Sequence, residues 1–107
     1  GMANRHAAIT IKEGDQERIA DYCRRHRIRR LSLFGSVLGD NFGPESDVDI
    51  LVEFAQGAKV GLIRLSGMEI ELSRILGRKA DIRTAQDLSR YFREGVLAQA
   101  EVVYAQG

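Results

Sequence analysis

Three short stretches of the chain carry side chains suited to phosphate and metal. Phe34-Gly35-Ser36 is followed, after ten residues, by Asp47-Val48-Asp49-Ile50, and Asp81 stands further on between Ala80 and Ile82. A glycine closing a strand lets the backbone approach a ligand, and Ser36 adds a hydroxyl and an N–H at the start of a turn, where backbone donors favour phosphate. Asp47 and Asp49, two apart in an extended segment, project from one side and could converge on a hard divalent cation such as Mg²⁺, which takes carboxylate and phosphate oxygens. Without such a cation or a donor nearby, two carboxylates side by side on a strand repel. Asp81, if its strand lies beside residues 47–54, would complete a two-metal site and draw the proton from an acceptor hydroxyl. Each piece alone is ordinary, since Gly-Ser is a common turn and Asp-x-Asp can be a solvated strand face; only the combination points to chemistry. Leu51 and Val52 stand where an EF-hand loop needs a ligand and a glycine, and neither a Walker A loop nor a dinucleotide-binding glycine fingerprint occurs.

The elements that must carry these residues follow from periodicity. Residues 30–34, apolar and stopped by Gly35, read as a buried strand, and Gly39-Asp40-Asn41-Phe42-Gly43-Pro44 as a loop. In residues 47–54 the even positions Val48, Ile50, Val52 and Phe54 are apolar and must face the core, leaving Asp47 and Asp49 on the other side. A first helix is expected over Asp15–Arg27, N-capped by Asp15, with Ile19, Tyr22 and Cys23 inward. A second carries Leu62, Leu65, Glu69, Leu72 and Leu76, widened by Ile75, and ends at Gly77. A strand over residues 79–83 precedes a last helix from Asp87 to Ala100, with Leu88, Tyr91, Phe92 and Val96 in contact positions, and Val102 to Tyr104 add an edge strand. The order α-β-β-α-β-α predicts an α/β (α+β) fold, a small mixed sheet of three to four strands packed by helices on one side.

Composition bounds the rest. A chain of 107 residues, 44% hydrophobic and 29% charged, buries roughly two-thirds of its unfolded surface, enough for one core, so a single domain over residues 1–107 is expected. Gly1 before Met2 reads as a tag remnant. Sixteen basic and fifteen acidic residues leave a charge of +1, so charge effects are local. The run Arg24, Arg25, His26, Arg27, Arg29, Arg30 reads as a solvated face at a helix C-terminus, with non-specific nucleic-acid contact as the rival. His6 and His26 are expected at the surface, and Tyr22 and Tyr91 as packing side chains. One cysteine, Cys23, excludes an internal disulfide, and no apolar run reaches the roughly 18 residues of a membrane span, so a cytoplasmic protein is expected.

Gly35-Ser36, the ten-residue spacer, Asp47-Val48-Asp49 and Asp81, within "RRLSLFGSV", "SDVDILVEF" and "LGRKADIRT", resemble the signature of the minimal nucleotidyltransferases (MNT) of the DNA polymerase β-like superfamily. The similarity runs from about Ile19 to Thr84 and more weakly to Tyr104. The resemblance implies a Mg²⁺-dependent transfer of a nucleoside monophosphate, AMP from ATP, to an acceptor hydroxyl. Its antitoxin members pair with HEPN-domain toxins and add AMP to a tyrosine of that partner. By the same resemblance Gly35 and Ser36 would hold the triphosphate, Asp47 and Asp49 the metals, and Asp81 a second metal and the acceptor hydroxyl. Many members carry an Arg-Gly pair where this chain has Gly39-Asp40, which implies weaker triphosphate contacts and leaves a non-catalytic, partner-binding module as the alternative. So short a chain leaves little surface for the acceptor, so a helical protein partner is expected to supply it, meeting the last helix and the basic run.

Overall fold

The computed structural model describes residue 9 and residues 11–106; Gly1 and His6 lie outside the described residues. The chain runs through helix α1 (Glu13–Arg25), strand β1 (Ile28–Phe34), a 3-10 turn (Gly35–Leu38), strand β2 (Val48–Phe54), helix α2 (Leu62–Leu76), strand β3 (Ala80–Arg83), a second 3-10 turn (Ala85–Asp87), helix α3 (Arg90–Gln99) and strand β4 (Glu101–Ala105). The sheet order is β3-β2-β1-β4, with β1 antiparallel to both β2 and β4 and β2 parallel to β3. This is the expected mixed sheet, with Val102 to Tyr104 in its edge strand.

Alternation builds the core. Val48, Ile50 and Val52 of β2, Ala80 and Ile82 of β3, and Leu31 and Leu33 of β1 are buried together with Ile19, Tyr22 and Cys23 of α1 and Met68, Leu72 and Ile75 of α2. The Tyr22 hydroxyl donates to the Met68 carbonyl at 2.9 Å, tying the two helices together. Burial holds the Tyr22 phenol protonated far above its ordinary range and pushes the Cys23 thiol up to about 12. Helix α2 ends as its sequence requires: Gly77 takes φ +71°, and its N–H bonds to the Ser73 carbonyl at 2.8 Å.

Several expectations are corrected. Helix α1 starts two residues early, its N-cap is Lys12, and Asp15 lies in the first turn, where it pairs with Arg18 at 3.2 Å. Leu62 is 82% exposed, because at 3.6 residues per turn it lies about a third of a turn from the buried Met68-Leu72-Ile75 stripe. Glu69 is not part of an apolar stripe but a cap on the sheet edge: its carboxylate accepts the outward N–H of Ile82 at 2.7 Å, and the Ser73 hydroxyl accepts that of Ala80 at 2.9 Å. These bonds occupy donors that an edge strand would otherwise offer to another chain.

The last helix departs furthest. It begins at Arg90 rather than Asp87, after a 3-10 turn closed by a reciprocal Thr84–Asp87 capping box. Helix α3 has no buried residue, and Tyr91 and Phe92, expected in contact, are 83% and 68% exposed. It is held instead by polar contacts, with Arg93 donating to the carbonyls of Ala85 at 2.7 Å and Leu88 at 3.1 Å. Only α1 and α2 cover the core face. His26 is likewise half-buried, not superficial, with Nε2 2.9 Å from Glu71 and its ring against Tyr22. Among the described residues no helix is long and apolar enough to cross a membrane.

Candidate active site

Register brings the acidic residues together. Phe34 pairs with Asp49 across β1 and β2, and Asp49 pairs with Asp81 across β2 and β3, so two carboxylates stand side by side on the sheet face opposite the core. The chain leaves β1 directly beside them. Gly35 takes φ +76°, and a Cβ there would run into the Asp49 carboxylate and stand 3.2 Å from its Cγ. The turn therefore demands glycine twice over, for its backbone conformation and for its closeness to Asp49.

The electrostatics follow from this crowding. Burial raises the Asp49 pKa, and the neighbouring Asp81 charge raises it further; the Ser36 backbone N–H bonded to the carboxylate and the Arg83 charge oppose the shift, while Asp47 adds to it. Asp47 lies just before β2 instead of within it, and its carboxylate is 3.6 Å from Lys79 Nζ. Asp81 is 3.2 Å from the Arg83 guanidinium. As the side chains stand, no three Asp, Glu, His or Cys groups among the described residues are gathered to hold one metal ion; Asp47 and Asp81 are turned to their cations. The donor set nonetheless suits a hard divalent cation, being carboxylate oxygens whose mutual repulsion such a cation would relieve.

Asp81 and Arg83 alternate along β3 and so share the Asp49 face, and Lys79 stands just before the strand with its Nζ toward Asp47. Period-two reading of "KADIR" could have found Lys79 and Arg83; only their partners across the sheet show what they face. Arg78 is a third residue with no legible signal. Its guanidinium lies over the Phe42 ring, 4.3 Å from the centroid, and donates to the carbonyl oxygens of Gly43 at 2.5 Å and Ser46 at 3.4 Å. On the far side of Gly35, the first 3-10 turn and α3 enclose an open groove of about 540 Å³ lined by Gly35, Leu38, Gly39, Tyr91, Phe92 and Val96.

The arginine run is largely spoken for. Arg25 pairs with Asp21 and Glu71, and Arg29 and Arg30 both reach Glu53. Two hydrogen-bond donors, Arg25 and then His26, pull the Glu71 pKa below its ordinary value.

Residues 17–103, which include every residue of this acidic cluster, match the family model for the nucleotidyltransferase domain. The chain belongs to that family. The nucleotidyltransferase is 33% identical over 76 residues, 71% of its length and 80% of the other, to a candidate protein adenylyltransferase of Methanocaldococcus jannaschii. Among solved structures it is similar to a candidate minimal nucleotidyltransferase, with a TM-score of 0.66 and 32% identity over 81% of this chain and 87% of that one. It shares the fold, at 20% identity and a TM-score of 0.62, with a Shewanella oneidensis complex of an MNT antitoxin and its tri-AMPylated HEPN toxin, covering 88% of this chain and 72% of that one.

Proposed function

We propose that this nucleotidyltransferase moves AMP from ATP to a tyrosine hydroxyl of a helical HEPN-type protein, as the antitoxin of a toxin–antitoxin pair. The observation that carries the reading is the Asp49–Asp81 pair in register, flanked by a glycine whose missing side chain makes room for Asp49. The M. jannaschii relative named for protein adenylyl transfer and the AMP-bearing toxin complex support the acceptor class. Asp47, Asp49 and Asp81 would hold Mg²⁺, which supplies charge neutralisation at the phosphates and lowers the barrier to displacement. Gly35 and Ser36 would seat the triphosphate beside Asp49. Asp81 takes the proton of the acceptor hydroxyl, the hydroxyl oxygen bonds to the α-phosphorus, and the bond to the leaving pyrophosphate breaks in line.

The test is co-expression with a HEPN-type helical protein, followed by incubation with α-labelled ATP and intact mass measurement. Transfer gives the partner label and the mass of one or more AMP groups, and Asp47→Asn or Asp49→Asn removes both. Labelling that survives both substitutions refutes the mechanism. A partner bound but never modified selects the non-catalytic module. Nucleic-acid binding through the arginine run is disfavoured by its pairing to Asp21, Glu53 and Glu71.

A further inference from the structure

Asp47 is the one acidic residue of the site that no strand places. It ends a loop that begins at Gly39, and such a loop explores many conformations unless something outside it holds it. Five contacts from one segment do so. Arg78 stacks on Phe42 and donates to the Gly43 and Ser46 carbonyls; the Lys79 carbonyl accepts the Val48 N–H at 2.8 Å; and Lys79 Nζ faces the Asp47 carboxylate. Within the loop, Ser46 closes the grip, its hydroxyl accepting the Gly43 N–H at 3.0 Å and its N–H donating to the Gly43 carbonyl at 3.1 Å. The Gly43 carbonyl thus takes bonds from both Ser46 and Arg78, and the arginine's planar donors and ring stacking are a combination lysine does not reproduce.

We infer that Arg78 and Lys79 act on Asp47 in opposite senses. Arg78 is a positioning residue that keeps the Gly43–Ser46 turn, and hence Asp47, beside Asp49, while Lys79 holds the Asp47 carboxylate away from a divalent cation until one displaces it. The inference rests on Asp47 being a metal ligand. It accounts for the side-chain arrangement: the carboxylate that the loop delivers is the one turned to a lysine that is itself largely exposed, 71% by side chain, and so free to leave.

The full chain is tested with Mg²⁺ and the non-hydrolysable ATP analogue AMP-PNP by calorimetry, and by hydrogen exchange of residues 39–47 without metal. Arg78→Met is expected to weaken Mg²⁺-dependent binding by about 10- to 100-fold, as loss of a group that orients a metal ligand does, and to speed exchange in the loop. Phe42→Leu, which keeps the Arg78 hydrogen bonds, moves both readouts the same way by less. Lys79→Met is expected to lower the Mg²⁺ concentration needed, by a few-fold, with loop exchange unchanged. Circular dichroism establishes that each variant is folded, and should Arg78→Met not fold, Arg78→Lys replaces it with the same direction expected. Wild-type binding that needs Mg²⁺, with Arg78 variants unaltered in binding and exchange, overturns the inference and leaves the proposed function intact. Equal shifts in one direction for Arg78→Met and Lys79→Met overturn the opposition. Nucleotide binding by the wild type that is indifferent to Mg²⁺ removes the metal reading of Asp47 and the inference with it.

Discussion

The two faces of β2 and β3 are made by neighbouring residues and do opposite work. Val48, Ile50, Ala80 and Ile82 are buried under α1 and α2, while Asp49, Asp81 and Arg83 on the intervening positions carry charge against charge. Apolar burial contributes roughly 25 cal/mol per Å², so the core face stabilises what the acidic face strains. Like-charged carboxylates in register would not hold two strands together by themselves. The lesson is one of division: the strand pair is held from one side, which lets the other carry carboxylates that repel.

That division is broken most sharply by two substitutions one residue apart. Asp49→Asn is expected to lower AMP transfer by on the order of 1,000-fold or more while thermal stability stays level or rises, since a repelling charge is gone. Ile50→Ala is expected to cost about 2–5 kcal/mol of stability, read as an earlier urea midpoint, with activity per folded molecule retained. If Asp49→Asn destabilises as much as Ile50→Ala, the two faces are not separable. Gly35→Ala tests the seam between them: left-handed backbone strain costs on the order of 1–3 kcal/mol, and the added Cβ displaces the Asp49 carboxylate, so nucleotide binding and stability fall together. Cys23 reports on the core face alone. Its thiol, buried and pushed up to about 12, should resist a disulfide reagent at pH 8 in the folded protein and react at once in denaturant.

The smallest effect lies away from the sheet, at Glu71. Its pKa is held below the ordinary 4.5 by Arg25 first and His26 second. A carboxyl lowered on folding favours the folded state fully above about pH 4.5 and loses that contribution as pH falls through its lower folded value. Glu71→Gln should therefore narrow, by a small margin, the loss of stability as pH falls below about 4.5, because the group is partly exposed and screened. A Glu71→Gln variant that follows the wild-type pH curve shows the pair to be energetically silent.

Most of the architecture was legible because burial is written in period. The alternation at 48–54 placed Asp49 opposite the core, Gly77 marked the end of α2, and "VVY" marked the edge strand. Helix α3 departs from its spacing because Tyr91 and Phe92 lie on an apolar face yet stay exposed; periodicity reports an amphipathic helix, not what covers it. Glu69 misled for the converse reason. A charged residue at an apolar spacing became a cap because β3 happened to lie below it with free N–H groups. Arg78 was invisible, since its partners are backbone carbonyls 32 and 35 residues away, and a carbonyl has no signature in sequence.

By itself the sequence determined that Asp49 and Asp81 point away from the apolar face of their strands and that Gly35 must turn the chain, because side-chain direction in a strand is local geometry. Only the tertiary structure decided that Asp49 and Asp81 stand in register, that Asp47 faces Lys79, and that Arg78 holds the loop between them. Register is a sum over contacts between segments distant in the chain, among them β2 against β3 and α2 against β3, and no spacing along the chain encodes it.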